Sequence, residues 1–185
     1  MKAVFALTAV SVMASASAFT INFVNKCSYD VWAAVGAAPN GQPDLSIAWG
    51  QKVSPGGSAS TGVDDHALGV RAWGRTGCDG NGANCQTGAC NGGLVCNDAG
   101  ITAAAIYSEY GYGDQGQWGG ELTSWDLSYV GGHVNIPTSL SSSDGKSVSC
   151  AADGCPTDQA YQNPDDHAAV RQSALGATYT HTFCP

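Results

Sequence analysis

The sequence predicts an all-β domain, a sandwich or a barrel. Apolar residues alternate with polar ones in short runs, and clusters of Gly, Asn, Asp and Ser separate those runs along the 185 residues. No stretch carries a long helical periodicity, so the runs must pack as strands in layers. Phe19, Ile21 and Phe23 share one face of a first strand, and Val31-Trp32-Ala33-Ala34-Val35 reads as a second. Pro55-Gly56-Gly57 marks a turn. Leu68, Val70 and Ala72 then alternate with Arg71, Trp73 and Arg75. Trp125, Leu127 and Tyr129 alternate in the same way with Asp126, Ser128 and Val130. Turn signals recur at Asp79-Gly80-Asn81-Gly82 and Ser141-Ser142-Ser143-Asp144-Gly145, and the last strand is expected over Ala177 to Phe183. No internal repeat or linker divides residues 19–185, which read as one domain.

The first eighteen residues read differently. Lys2, the apolar run Ala3 to Met13 and the small-residue tail ending at Ala18 form a secretory signal peptide, with cleavage expected before Phe19. Thr8, Ser11, Ser15 and Ser17 interrupt the run, which is therefore too short for a membrane anchor. The protein is expected outside the cell, where its 8 cysteines, all beyond the leader, form disulfides. Four of them, Cys78, Cys85, Cys90 and Cys96, fall within 19 residues rich in glycine and asparagine and read as staples of a surface loop. Their spacing is looser than that of paired zinc ligands, and His66, His133, His167 and His181 are scattered, so no metal or other cofactor is expected.

With Lys2 removed, 6 basic residues stand against 15 acidic ones, a formal charge of −9. Phosphate backbones and anionic headgroups repel such a surface, which argues against nucleic acid and against strong binding to anionic membranes. A neutral polymer carries no such penalty. No Asn-x-Ser/Thr site is present, so ordinary N-glycosylation is not expected, and a monomer is.

Several blocks in order make the chain resemble the thaumatin-like family, pathogenesis-related group 5. They are Phe23-Val24-Asn25-Lys26-Cys27 with Val31-Trp32-Ala33-Ala34, then Trp73-Gly74-Arg75-Thr76-Gly77-Cys78 and Asn84-Cys85-Gln86-Thr87-Gly88-Ala89-Cys90. Next come Trp125-Asp126-Leu127-Ser128-Tyr129-Val130, Asn135-Ile136-Pro137, Cys150 to Cys155-Pro156, and Thr182-Phe183-Cys184-Pro185. Ala89 departs from the pattern, which has an aspartate there. The resemblance implies a disulfide-stapled β-sandwich with pairs Cys27–Cys184, Cys78–Cys85, Cys90–Cys96 and Cys150–Cys155. Only four residues separate Cys150 from Cys155, where larger relatives insert a second domain, so the chain resembles the small type with one wall of the family's acidic cleft reduced.

The same resemblance implies cleft residues. Arg75 takes the arginine position and Asp126 the first aspartate. Gly131 stands where a second aspartate is expected, and Asp165 or Asp166 supplies the third. Glu109 takes the glutamate position, with Glu121 as a fallback. Such a site suits glycoside hydrolysis, in which one carboxyl stays protonated as acid and a second acts as base or nucleophile. Glu109 is the expected acid and Asp126 its partner, with Arg75 holding a neighbouring aspartate ionised. Independently of any resemblance, Tyr110, Tyr112 and Trp118 lie among glycines, where flat rings suit stacking on sugars. The leading expectation is a secreted protein that binds β-1,3-glucan of cell walls, in antifungal defence or wall remodelling. An endo-β-1,3-glucanase using Glu109 and Asp126 is the enzyme alternative. A membrane-permeabilising antifungal protein, or an inhibitor of secreted enzymes, is the third.

Overall fold

The computed structural model describes residues 17–185. The expected leader lies outside the described residues except for Ser17 and Ala18, the latter opening the first strand. Eleven strands follow: β1 Ala18–Asn25, β2 Val31–Ala37, β3 Asp44–Val53, β4 Ser58–Asp64, β5 Val70–Arg75, β6 Tyr107–Asp114, β7 Glu121–Ser128, β8 Thr138–Ser142, β9 Ser147–Cys150, β10 Arg171–Ala174 and β11 Thr178–Phe183. They form the predicted sandwich. One sheet has the order β4-β1-β11-β8-β9, the other β10-β7-β6-β5-β2-β3. Neighbours pair antiparallel except for β1 and β11, which run parallel with Phe23 opposite His181.

Alternation decides which side chains enter the layer between the sheets. Phe19, Ile21 and Phe23 on β1 meet Val31, Val35, Val70, Trp125 and Leu127 of the facing sheet, and all are buried. Each of these large side chains contributes roughly 1.5–3 kcal/mol through burial. Strand β2 is buried on both faces, which is why it reads as a continuous apolar run rather than an alternating one. Its outward face is covered by the segment of residues 76–106: a Cβ on Gly36 would stand 2.7 Å from Ala99 Cα. Leu68, expected in the strand at Val70, is exposed and precedes β5.

All four expected disulfides are present: Cys27–Cys184, Cys78–Cys85, Cys90–Cys96 and Cys150–Cys155. The first ties the parallel pair β1 and β11 just beyond their last partnered residues. The next two staple the segment that covers β2 and β5. That segment is also sewn to the sheet from below, with Trp73 Nε1 donating to Gly88 O at 3.0 Å and Tyr107 Oη to Gly100 O at 2.9 Å.

Residues 151–170 cover the other flank of the same sheet. Tyr161 N donates to Leu127 O at 2.8 Å and Tyr129 N to Tyr161 O at 3.0 Å, which docks the segment against β7. Arg171 holds it from β10 through bonds to Asp158 O at 3.0 Å and Ala168 O at 2.9 Å. A strip of sheet is left bare between the two coverings.

Candidate functional site

That bare strip is the floor of a groove of about 720 Å³. Ile101, Thr102 and Ala104 line one side, and Tyr161, Asn163 and Pro164 the other. Arg71, Tyr107, Glu109 and Ser128 form the floor. The wall made by residues 161–164 comes from the short segment that follows Cys155, so the groove has two sides despite the four-residue gap between Cys150 and Cys155.

Strand register builds the polar centre of this floor. Arg71 on β5 is opposite Glu109 on β6, and Glu109 is opposite Asp126 on β7, so the three form one cross-strand row. Their neighbours Val70, Ala72, Tyr110, Trp125 and Leu127 fill the inner core, which turns the row outward. Arg71 Nε lies 3.3 Å from Glu109 Oε1, and its guanidinium stands 5.6 Å from the centre of the Tyr107 ring. Directly opposed residues of antiparallel strands hold their Cβ atoms about 4.5–5.5 Å apart, so Glu109 and Asp126 are within reach of one ligand.

Asp126 is the unusual member. It is only 9 % exposed, and its Oδ1 has no hydrogen-bond partner. Burial first, and the Glu109 carboxylate second, push its carboxyl up to about 8. Beside it, burial and the charges of Asp126, Asp166 and Glu109 raise the phenol of Tyr161. The row therefore sets the Arg71 guanidinium beside Glu109, and Glu109 beside a desolvated Asp126 that holds its proton more tightly than an ordinary carboxyl. Of the two carboxyls, Asp126 is the desolvated one and Glu109 the one paired with an arginine.

Several expected site residues lie elsewhere. Arg75 is fully buried and faces the stapled segment, not the groove. Its Nε donates to Trp32 O at 3.2 Å, Nη1 to Gly82 O at 3.0 Å and Gly93 O at 2.8 Å, and Nη2 to Leu94 O at 2.7 Å. Burial lowers its pKa to about 10. Arg71 and Arg75 share a face of β5, but the covering extends over Arg75 and stops short of Arg71.

Tyr110 belongs to the inner core, 2 % exposed, with its hydroxyl donating to Ser108 Oγ at 3.1 Å. Tyr112 follows it on the inward parity of β6 and is half-buried, its hydroxyl donating to Glu121 Oε1 at 2.7 Å. Glu121 is thus at the far end of the β6–β7 hairpin, away from the row. Trp118 sits on the tip of that hairpin, 85 % exposed.

Asp165 is exposed and outside the groove lining. Asp166 turns back into its own loop, accepting from Gln162 N and Asn163 N at 2.9 Å each, which holds its carboxyl below the usual range and shapes the wall at Asn163 and Pro164. Gly131 does line the groove, with φ of 74°. That left-handed conformation favours the glycine found there over the expected aspartate. Arg71, Tyr107 and Tyr161 were not anticipated as groove residues. The parity of Arg71 with Arg75 on one strand was the available signal for the first.

Comparison with known proteins agrees with the fold and the arrangement of cysteines. The sequence model of the Thaumatin family matches residues 25–184. The chain is 35 % identical over 174 residues to thaumatin-like protein PWIR2 of Triticum aestivum, covering 93 % of this chain and 91 % of that one. It is 34 % identical to pathogenesis-related protein 1A/1B of Hordeum vulgare over the same shares, 93 % and 91 %. Among solved structures, the thaumatin-like xylanase inhibitor TLXI superposes with a TM-score of 0.60 at 25 % identity, over 89 % of this chain and 99 % of the inhibitor. With its two-sheet sandwich, its four disulfides and a family match that runs almost from first strand to last, this chain belongs to the Thaumatin family.

Proposed function

We propose that the protein is secreted and binds β-1,3-glucan of cell walls in the groove on the outer face of the six-stranded sheet, in defence or wall remodelling. The observation that carries this reading is the Arg71–Glu109–Asp126 row, in which Arg71 and Glu109 line the groove and Asp126 lies buried beside Glu109, outside the lining itself. The Arg71 guanidinium and the Glu109 carboxyl oxygens, side by side on the floor, offer both donors and acceptors to the hydroxyls of a neutral polymer. The rings of Tyr107 and Tyr161 add apolar surface beside them. The pathogenesis-related names of similar cereal proteins support a defence setting. Eight paired cysteines fit the secreted state.

The test is retention on insoluble β-1,3-glucan together with release of reducing sugar from a soluble one. Glu109→Gln and Asp126→Asn are each expected to weaken retention about tenfold or more, the scale of losing a hydrogen bond to a charged or buried group. Retention should change little between low and high salt, since neither stacking nor neutral hydrogen bonding is screened. Sugar release by wild type that both variants abolish establishes hydrolysis that needs both carboxyls. Retention without release leaves a binding protein. Undiminished retention by both variants would remove the groove from consideration.

A second reading, inhibition of a secreted glycanase, is favoured by the likeness to a xylanase inhibitor. Its assay is residual xylanase activity in the presence of the protein. Inhibition that survives both groove substitutions would place the contact elsewhere on the surface.

A further inference from the structure

Strands β6 and β7 run on as a hairpin past the partners that flank them. Strand β5 pairs with β6 only as far as Tyr110, and β10 pairs with β7 only from Leu122 to Trp125, whereas β6 and β7 pair with each other out to Asp114 and Glu121. Trp118 crowns the hairpin with 85 % of its surface exposed. Trp73 and Trp125 are fully buried, Trp32 is 9 % exposed and Trp49 half-buried, so Trp118 is the one indole held in solvent.

The tip is rigid. Gln115 N donates to Gly120 O at 2.9 Å, Gly120 N to Gly116 O at 2.8 Å, and Gly116 N to Asp114 Oδ1 at 2.7 Å. Its base is braced where Tyr112 bonds to Glu121 and packs against His66, with ring centres 4.6 Å apart and the rings tilted by 42°. The two residues on either side of the indole, Gly116, Gln117, Gly119 and Gly120, are uncharged, and the nearest charges in sequence, Asp114 and Glu121, are both acidic and close the base of the turn. An exposed aromatic face with no cation beside it suits a neutral polyol rather than an anionic one.

We infer that Trp118 is a second contact for the same polysaccharide, separate from the groove, so that the protein engages an insoluble glucan at two points. The inference rests on the glucan reading of the groove. None of the groove-lining residues belongs to the hairpin tip, and Asp114 alone is five residues along β6 from Glu109, roughly 17 Å at the usual strand rise. A short oligosaccharide bound in the groove does not reach the indole, but a polymer surface does. Two linked contacts raise retention on a surface without altering affinity for a short ligand.

The experiment compares wild type, Trp118→Ala, Trp118→Phe and Glu109→Gln on insoluble β-1,3-glucan particles and on a soluble β-1,3-glucan trisaccharide. Trp118→Ala is expected to reduce retention on particles about tenfold or more and to leave trisaccharide affinity unchanged. Trp118→Phe should restore most of the retention, and Glu109→Gln should weaken both. Equal particle retention by Trp118→Ala and wild type, with Glu109→Gln impaired, overturns the second contact and leaves the groove standing. Absence of any glucan binding by wild type overturns both. Loss of glycanase inhibition in Trp118→Ala, with glucan retention intact, would assign the indole to a protein cleft and overturn the inference as well.

Discussion

His181 and Asp126 are buried ionisable groups with no opposite charge beside them, and they bias stability in opposite directions of pH. His181 lies between the sheets among Phe23, Phe183 and Ser108. Its Nδ1 shares a 2.8 Å hydrogen bond with Ser108 Oγ, its Nε2 has no partner, and burial lowers its pKa from 6.5 to about 3. As pH falls through that window the unfolded chain takes up a proton that the native state refuses, so stability is lost. For Asp126, raised from 3.8 to about 8, the native state keeps a proton that the unfolded chain releases, so stability is lost as pH rises through its window. Each window is worth on the order of 5 kcal/mol when fully crossed. The two slopes cancel between roughly pH 4 and 6.5, which predicts a plateau there and a decline on either side. Urea unfolding at several pH values checks this. Asp126→Asn should flatten the alkaline limb, and His181→Phe only part of the acid limb. Asp144, held low by Lys146 and Ser142, and Asp79, Asp98 and Asp166, held low by hydrogen bonds of their loops, keep the rest. An alkaline limb unchanged in Asp126→Asn would mean that the carboxyl is not desolvated.

At the scale of elements, two arginines four residues apart on β5 perform unrelated tasks. Arg75 spends its guanidinium on four backbone carbonyls and so fixes the stapled segment, while Arg71 faces the groove. Arg75→Ala is expected to destabilise the protein by about 3 kcal/mol or more, because it strands those carbonyls in the interior. Proteolysis between Cys90 and Cys96 should then precede global unfolding. Arg71→Ala, which removes a half-exposed ion pair, should change stability by about 1 kcal/mol or less. Native-like protease resistance in Arg75→Ala would show that the disulfides alone hold the segment.

The residue pattern around Arg75 is what made it look like a groove residue, and nothing in the strand itself distinguishes the two positions. The distinction lies in how far residues 76–106 extend across the sheet, a tertiary fact. Strands with several inward apolar residues, β1, β2, β5, β7 and β11, were legible in the sequence. Strands β4, β8 and β9 were not, because each sends in little besides Val63, Leu140 or Val148 among serines and threonines. The carboxylates of the groove were legible as Glu109 and Asp126. That Asp126 is the desolvated one was not, since its burial depends on tertiary packing over β7 rather than on the strand's own pattern.

For the molecule as a whole, the Cys27–Cys184 bridge spans a sequence separation of 157 and should remove about 5 kcal/mol of unfolded-state entropy in the loop-closure picture. The double substitution Cys27→Ser, Cys184→Ser is therefore expected to lower unfolding free energy by a few kcal/mol, read from denaturant melts against wild type. No loss would indicate that the parallel β1–β11 ladder already keeps the two segments together in the denatured chain.

The parallel pairing of β1 with β11 also has a consequence for biosynthesis. Until Thr178–Phe183 is available, β1 has only β4 to pair with, and β8 has only β9. The five-stranded sheet is therefore joined from two antiparallel pairs, β1 with β4 and β8 with β9, only when this last strand is made. A ribosome stalled a few codons early would release a chain whose Phe19, Ile21 and Phe23 have no completed layer to enter. The strand that finishes the sheet is followed at once by the cysteine that locks it, so a chain cut before Thr178 lacks both the ladder and the bridge.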